Sequence, residues 1–248
     1  MNDYRRMIDR LARSNHAIAL TGAGISVESG IPDFRSLGGL WSRYHPIEYG
    51  HIDSFRSNPA KVWKMLLEMD ALLSRADPNP AHFALAKLEA LGIIRAVITQ
   101  NVDSLHQRAG SKRVIEFHGH NRSLRCESCN LRYPREKISL SVTPPACRCG
   151  GPLRPEIVFF GEQIPTVAFT EAMSAADSCD FLMVIGTSAS VAPASQIPLV
   201  AKNRGAFVLE INPTPSELRK EMVDLRIAQS AGTALPEIVT LIGANNYE

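Results

Sequence analysis

Short apolar runs, each closed by a polar or glycine-containing turn, recur along the chain at 17–20, 95–99, 114–117, 157–160, 181–185 and 206–211, with a weaker one at 225–228. They are continuous rather than alternating. Such runs predict strands buried on both faces, as in a parallel sheet covered by helices. Helical segments are expected between several of them, at 104–108, 166–176, 195–204 and 216–223. The N-terminal stretch carries Met7, Ile8 and Leu11 at helical spacing and reads as a surface helix. Further on, Val62, Met65, Leu66, Met69, Leu72 and Leu73 repeat at i, i+3, i+4 behind Pro59, with Asn58 as its cap. Asp77-Pro78-Asn79-Pro80 stops that helix, and a second one over 81–91 ends at Gly92.

Two stretches break the alternation. Residues 36–58 are rich in loop formers, and 119–154 hold four cysteines, four prolines and little periodicity. The fold expected is α/β, a doubly wound parallel, Rossmann-like sheet with a smaller inserted module that is part helical and part zinc-binding. Residues 1–35, 81–118 and 155–248 are assigned to the Rossmann-like nucleotide domain. The helical insertion 36–80 and the cysteine module 119–154 are assigned to the small domain.

Composition narrows the classes. The 248 residues are 45% hydrophobic and 21% charged with a net charge of +2, ordinary for a globular protein and no reason to expect nucleic acid or an anionic membrane. No apolar run approaches the ~20 residues of a membrane span, and residues 1–14 lack the apolar core of a secretory leader. A cytoplasmic protein is therefore expected. Its oligomeric state is not encoded, and a monomer is expected.

Four of the five cysteines lie within 24 residues. Cys126-x-x-Cys129 and Cys147-x-Cys149 can each bite one face of a tetrahedral zinc ion, and Gly150-Gly151 supplies backbone freedom after the tighter pair. Four thiolates leave no open position, so the metal is structural. The rival reading is a nucleic-acid-binding ribbon using Arg122, Arg125, Arg132 and Arg135, a face that Glu127 and Glu136 dilute. Cys179 reads as a small buried hydrophobe.

The first strand runs into T-G-A-G-I-S at 21–26. A strand ending in Gly22-Ala23-Gly24 can bring backbone amides against a pyrophosphate. Val27 stands where the dinucleotide fingerprint has its third glycine, which argues against an ordinary dehydrogenase. In an open α/β sheet ligands sit beyond the carboxyl ends of the strands. There this chain places Thr99-Gln100-Asn101-Val102-Asp103, His118-Gly119, Gly161-Glu162, Gly186-Thr187-Ser188 and Asn212-Pro213. Each alone reads as a cap or turn. Together they form a plausible polar cleft.

These residues, with G-I-P-D-F-R at 30–35, the cysteine module, L-R-P-E-I-V-F-F-G-E at 153–162 and I-N-P at 211–213, occur in one order along the chain. The chain resembles the sirtuins, NAD-dependent protein deacylases. The resemblance implies that NAD is a consumed co-substrate beside one structural zinc. The acyl-lysine carbonyl oxygen attacks the nicotinamide ribose, nicotinamide leaves, and the acyl group passes to ADP-ribose. It implies His118 as general base, with Asn101 and Asp103 in catalysis. Gly22, Ala23, Gly24, Ser26, Arg35, Gly186, Thr187 and Ser188 would meet the phosphates and riboses. Ile31, Asp33, Phe34, Gln100, Asn101 and Asp103 would surround the nicotinamide half. Asn212 would meet the adenosine ribose, and Gly232 the adenine edge. A loop over 31–35 is expected to close on the cofactor, hinged at Gly30.

On the substrate side, Val158, Phe159, Gly161 and Glu162, with Val191 opposite, would clasp an extended acyl-lysine peptide as a strand. Leu66 and Met69 would stand where family members that prefer succinyl- or malonyl-lysine carry Tyr and Arg, so an acetyl or longer apolar acyl group is expected. Ala189 is smaller than the residue the family usually places there. The alternative within the same cleft is ADP-ribosyl transfer to protein. A zinc-ribbon binding module without catalysis and a redox dehydrogenase are weaker readings. No specific nucleic acid and no membrane are expected as partners.

Overall fold

The computed structural model describes residues 2–33 and 39–245. Helix α1 (Asn2–Ala12) leads into strand β1 (Ala17–Thr21) and a 3-10 turn over Ala23–Ser29. Three short helices follow, α2 (Leu40–Arg43), α3 (Pro46–Gly50) and α4 (Ile52–Ser57), then the long α5 (Pro59–Arg75) and α6 (Pro80–Ala90). Next come β2 (Ile94–Thr99), α7 (Leu105–Arg108) and β3 (Val114–Glu116). Strands β4 (Gly119–Cys126), β5 (Arg132–Pro134) and β6 (Leu153–Ile157) make a separate unit. The chain closes with α8 (Thr166–Ser178), β7 (Phe181–Ile185), α9 (Gln196–Asn203), β8 (Phe207–Ile211), β9 (Leu225–Ile227) and α10 (Ala231–Asn245).

Caps written in the sequence set the helix starts. Asn58 Oδ1 accepts the Lys61 N–H at 3.0 Å ahead of Pro59. Asn79 Oδ1 takes the Ala81 N–H at 2.9 Å, while His82 Nδ1 returns to the Asn79 N–H at 3.3 Å. Such caps satisfy donors that have no partner inside the helix.

The main sheet has the order β3-β2-β1-β7-β8-β9 with every neighbouring pair parallel. The order reverses between β1 and β7, the dinucleotide-fold arrangement with its switch point there. Alternate side chains serve two cores. Ala17 and Ala19 pack with α1, α6 and α10, whereas Ile18 and Leu20 pack with α8 and α9. This double burial is why the strands read as continuous apolar runs.

The second sheet, β5-β4-β6, is antiparallel. It shares a third core with the helical insertion, in which Trp63, Leu66 and Phe55 meet Leu124, Leu153 and Phe159. The Trp63 indole N–H donates to the Leu153 carbonyl at 2.9 Å.

Two elements differ from the sequence expectation. The run 157–160 is not a strand of the main sheet: Ile157 ends β6, and Phe160 makes only a single bridge with His51. The segment 216–223 forms no α-helix, only a 3-10 turn at Lys220–Met222. Its backbone is claimed by tertiary partners instead, with Ser216 N–H on Glu210 Oε1 at 2.7 Å and Glu217 N–H on the Ser188 carbonyl at 2.8 Å. Among the described residues no helix is long and apolar enough to cross a membrane.

Candidate active site

At the switch point the loops leaving β1 and β7 lie against each other. Gly22 N–H donates to the Ile185 carbonyl at 3.1 Å and Gly24 N–H to the Gly186 carbonyl at 2.8 Å. A Cβ on Gly24 would sit 2.8 Å from Gly186 Cα, and one on Gly186, at φ +58°, would sit 2.3 Å from the Ile25 nitrogen. These glycines are needed for loop-to-loop contact. The sequence reading gave them a different reason, the approach of a phosphate. Their amides are also spent on the neighbouring loop. Ala23, at the first position of the 3-10 turn, has no partner inside that turn for its N–H.

The loop after β2 supplies the polar floor. Asn101 Nδ2 donates to the Gly22 carbonyl and to Ser26 Oγ, both at 3.1 Å. Ser26 Oγ in turn donates to Asp103 Oδ2 at 2.7 Å, and Asp103 Oδ1 accepts the Leu105 N–H at 2.9 Å. Burial pushes the Asp103 carboxyl above its ordinary value against these hydrogen bonds. Gln100 Nε2 reaches Thr187 Oγ1 at 3.0 Å, and Asn212 Nδ2 reaches the Thr187 carbonyl at 3.0 Å. Hydrogen bonds thus tie the ends of β2, β7 and β8 into one surface.

His118 stands at the end of β3. Its Nδ1 lies 3.0 Å from the Gln100 carbonyl, an acceptor only, so Nδ1 carries the proton and Nε2 keeps the lone pair. Burial lowers the His118 pKa, opposed by that carbonyl. The ring is thereby kept neutral, as a base must be. The residue after it turns sharply: Gly119 has φ +76°, and a Cβ there would lie 2.1 Å from the Glu156 carbonyl oxygen. Hence the His-Gly pair.

The loop 158–162 forms the opposite wall. Val158 N–H donates to the His118 carbonyl at 2.9 Å. Phe160 N–H donates to Gly50 O at 2.8 Å, and Ile52 N–H to Phe160 O at 3.0 Å. A cavity of about 660 Å³ runs along these surfaces. Its lining includes Gly22, Ala23, Gly24, Asp33, Gln100, Asn101 and His118, then Gly186, Thr187, Ser188 and Asn212. Val158, Phe159, Gly161, Glu162 and Val191 line it too, and its apolar end holds Leu40, Trp41, Met65, Met69 and Val102.

Other residues singled out from the sequence sit elsewhere. Ser26 is buried behind Asn101, and Asp103 is half-buried behind Ser26; neither lines the cavity. Ile31 packs with Ala76 and Leu105. Leu66 faces the third core, and its neighbour Met65 lines the cavity in its place. Gly232 lies under the Glu28 carboxylate in the first turn of α10, and Ser230 and Ala231 reach the wall. Phe34 and Arg35, with most of the expected closing loop, lie outside the described residues. Sequence reasoning missed Glu28, Trp41, Met65 and 214–216 as lining residues. For Met65, the helical spacing with Met69 was the signal available.

The four module cysteines converge, with their sulfurs all within 4.8 Å of one another. Cys126 and Cys149 sulfurs are 3.5 Å apart, and those of Cys129 and Cys147 are 3.6 Å apart. A tetrahedral ion with Zn–S bonds of about 2.3 Å needs sulfurs roughly 3.8 Å apart, so the set fits zinc. The Cys149 backbone and the Tyr133 hydroxyl, 3.1 Å from Cys147 Sγ, pull that thiol down to about 6. The thiolate is the form that binds metal.

The Sir2 family profile matches residues 22–193. The chain is 47% identical over 232 residues to NAD-dependent protein deacylase 2 of Pyrobaculum aerophilum, an alignment covering 93% of this chain and 92% of that protein. It superposes with a TM-score of 0.93 and 41% identity on a Sir2 homologue mutant in complex with ADP-ribose, covering 98% of this chain and 97% of the other. On a Sir2–p53 peptide–NAD+ complex the TM-score is 0.89 at 36% identity, covering 97% and 98%.

Proposed function

The chain belongs to the Sir2 family, and on that premise we propose how its cleft joins NAD to an extended acyl-lysine peptide over His118. It is an NAD-dependent protein deacylase: the acyl group passes from lysine to ADP-ribose with release of nicotinamide. NAD supplies an activated ribose carbon when bound; the rest is the work of this chain's side chains.

The observation that carries the assignment is His118, anchored through Nδ1 to the Gln100 carbonyl, on the cavity wall beside Asn101. Its Nε2 accepts the proton of a ribose hydroxyl, and the lowered pKa keeps that nitrogen free through neutral pH. Asn101 is locked by Gly22 and Ser26, so it orients polar groups of the nicotinamide half with little entropy left to lose. Asp103 acts through Ser26 and through the turn at Leu105, holding the Asn101 loop in place. Asp33 shares the nicotinamide end, with Ile31 behind it and Phe34 and Arg35 following in the chain. The Ala23 amide and Ser188 meet phosphate, Gln100 with Thr187 fixes the seam beneath, and Asn212 meets the adenosine ribose.

On the peptide side, Val158, Phe159 and Gly161 face Val191 across the cleft, suited to strand-wise capture of an extended chain. Met65, Met69, Leu40 and Trp41 give the acyl group an apolar end, with no cation in its lining among the described residues. A carboxylate-tipped acyl group there would be buried unpaired. The preferred groups are acetyl and longer apolar chains. None of the five cysteines is in a disulfide, four being set to hold zinc and Cys179 standing alone, which suits a reducing compartment, the cytoplasm.

Replacing His118 tests the assignment. His118→Ala should lower deacetylation of an acetyl-lysine peptide by about 100-fold or more, while NAD binding by calorimetry stays within about twofold. Retained turnover removes His118 from its role. In the same assay the wild type should turn over a succinyl-lysine peptide far more slowly than the acetyl one.

A further inference from the structure

The peptide-facing loop is shaped from behind by one arginine. Arg154 on β6 is 2% exposed, among the most deeply buried charges of the chain. Its guanidinium forks onto Glu162, Nη1 to Oε1 and Nη2 to Oε2, each at 2.7 Å. Nη2 also donates to the Ile157 carbonyl at 2.7 Å, and the guanidinium carbon lies 4.5 Å from the centre of the Phe159 ring. Glu162 Oε2 accepts the Phe159 N–H at 3.0 Å. One ion pair therefore closes a ring over residues 154–162 and grips its middle as well as its ends.

The ring is fastened further. Glu127 Oε2 lies 3.6 Å from Arg154 Nη1, and Glu127 Oε1 takes Arg56 Nε at 2.8 Å. Glu127 belongs to the first cysteine knuckle, between Cys126 and Cys129. Arg125 Nη2 stands 4.0 Å from Glu162 Oε1. Both oxygens of Glu162 are thus committed before any peptide arrives, although the residue lines the cavity. A bidentate fork with a stacked ring is a geometry lysine does not reproduce. Removing Glu162 strands the buried Arg154 charge.

We propose that Arg154 and Glu162 are positioning residues for peptide capture: their ion pair sets the backbone of residues 158–161 in the form an incoming peptide strand meets, and Glu127 extends the clamp to the cysteine knuckle. This rests on the deacylase reading of the cleft. Neither residue touches the reacting atoms, so the effect falls on the peptide and spares NAD.

The test uses full-length enzyme with Arg154→Lys, Glu162→Gln and Glu127→Gln. Initial rates are measured with acetyl-lysine peptide and NAD varied separately. NAD affinity is measured without peptide, and binding of a fluorescent acetyl-lysine peptide without turnover. Arg154→Lys and Glu162→Gln should each raise the peptide KM about tenfold or more, with kcat and NAD affinity within about threefold. Glu127→Gln should shift the peptide KM the same way by about threefold. Should Arg154→Lys fail to fold, the near-isosteric Glu162→Gln decides alone. A peptide KM unchanged in Glu162→Gln overturns the proposal. So does NAD affinity falling in step with peptide affinity, which would mean general loosening. A wild type that binds the peptide without NAD-dependent turnover would count against the deacylase reading. In that case the direct binding comparison still decides the clamp.

Discussion

The two sheets are stabilised in opposite ways. In the parallel sheet every residue of β1, β7 and β8 is buried. In the antiparallel sheet β4 buries only Leu124 and Cys126 among its eight residues, and β5 buries none. What the small sheet lacks in apolar burial it replaces with ion pairs and sulfur. Arg132 meets Glu156 at 2.6 Å, Arg135 forks onto Asp70 of α5, and Arg122 forks onto Glu116. The arginines that looked like a basic face are thus largely occupied by carboxylates of the same chain. A unit this small cannot bury enough area to hold itself, so it leans on a metal cluster and on the helices beside it. Exposed pairs contribute little each, at most about 1 kcal/mol. The burden falls on the cysteines and the shared core around Trp63.

Removing the metal should break this contrast most sharply. Cys149→Ser, or chelation, should unfold the small sheet β5-β4-β6 and the cysteine segments beside it while the parallel sheet keeps its structure. A structural zinc site is worth on the order of 10 kcal/mol of coupled folding. Circular dichroism with hydrogen exchange would read this as lost protection confined to the module and its shared core. Uniform loss across both sheets would show that the two regions are one cooperative unit.

Next in size is Gly186→Ala, which attacks the large region where it has no slack. The added Cβ would meet the Ile25 nitrogen at 2.3 Å and the Gly24 carbonyl carbon at 2.7 Å, backbone atoms that cannot swing aside. A loss of about 3–4 kcal/mol in urea unfolding is expected, with weakened NAD binding. A near-neutral result would mean that the two loops part easily.

The smallest effect concerns a polar flaw in the same region. His82 and His106 are buried with ring centroids 4.9 Å apart, and His82 Nε2 and His106 Nδ1 have no hydrogen-bond partner among the described residues. Burial lowers their pKa values to about 4 and about 3, with His82 adding repulsion at His106. Folding therefore favours the neutral rings. Their contribution is full above the unfolded value near 6.5 and is lost as pH falls towards 4 and then 3. Thermal melts should show stability falling steadily between pH 6.5 and 4, and a folded His82→Gln variant should show a shallower slope. An unchanged slope would exclude the pair as its source.

The contrast also explains what the sequence made legible. The strands of the parallel sheet are buried on both faces, so their composition alone marks them. The cysteine spacing reports a metal geometry directly, and the residues at strand ends converge because the topology places every parallel strand end on one edge. The rest depended on direction within an element. Leu66 and Met69 were expected on the acyl side, but Met65 and Met69 share the face one helical turn apart, and Leu66 is rotated onto the core. The run 157–160 is apolar for two unrelated reasons: Phe159 fills the small core at 3% exposure, while Phe160 stands 39% exposed at the cleft rim. Glu162 lines the cavity, but nothing local in the sequence shows that Arg154, eight residues earlier, already holds both its oxygens.

His118 is tethered twice, its ring to the Gln100 carbonyl and its own carbonyl to the Val158 N–H. The consequence is practical for anyone redesigning acyl or peptide selectivity. A segment grafted into 158–162 carries an anchor of the base with it. Selectivity and proton transfer are then mechanically one part, and libraries built in that loop should be sorted by pH–rate profile as well as by substrate preference.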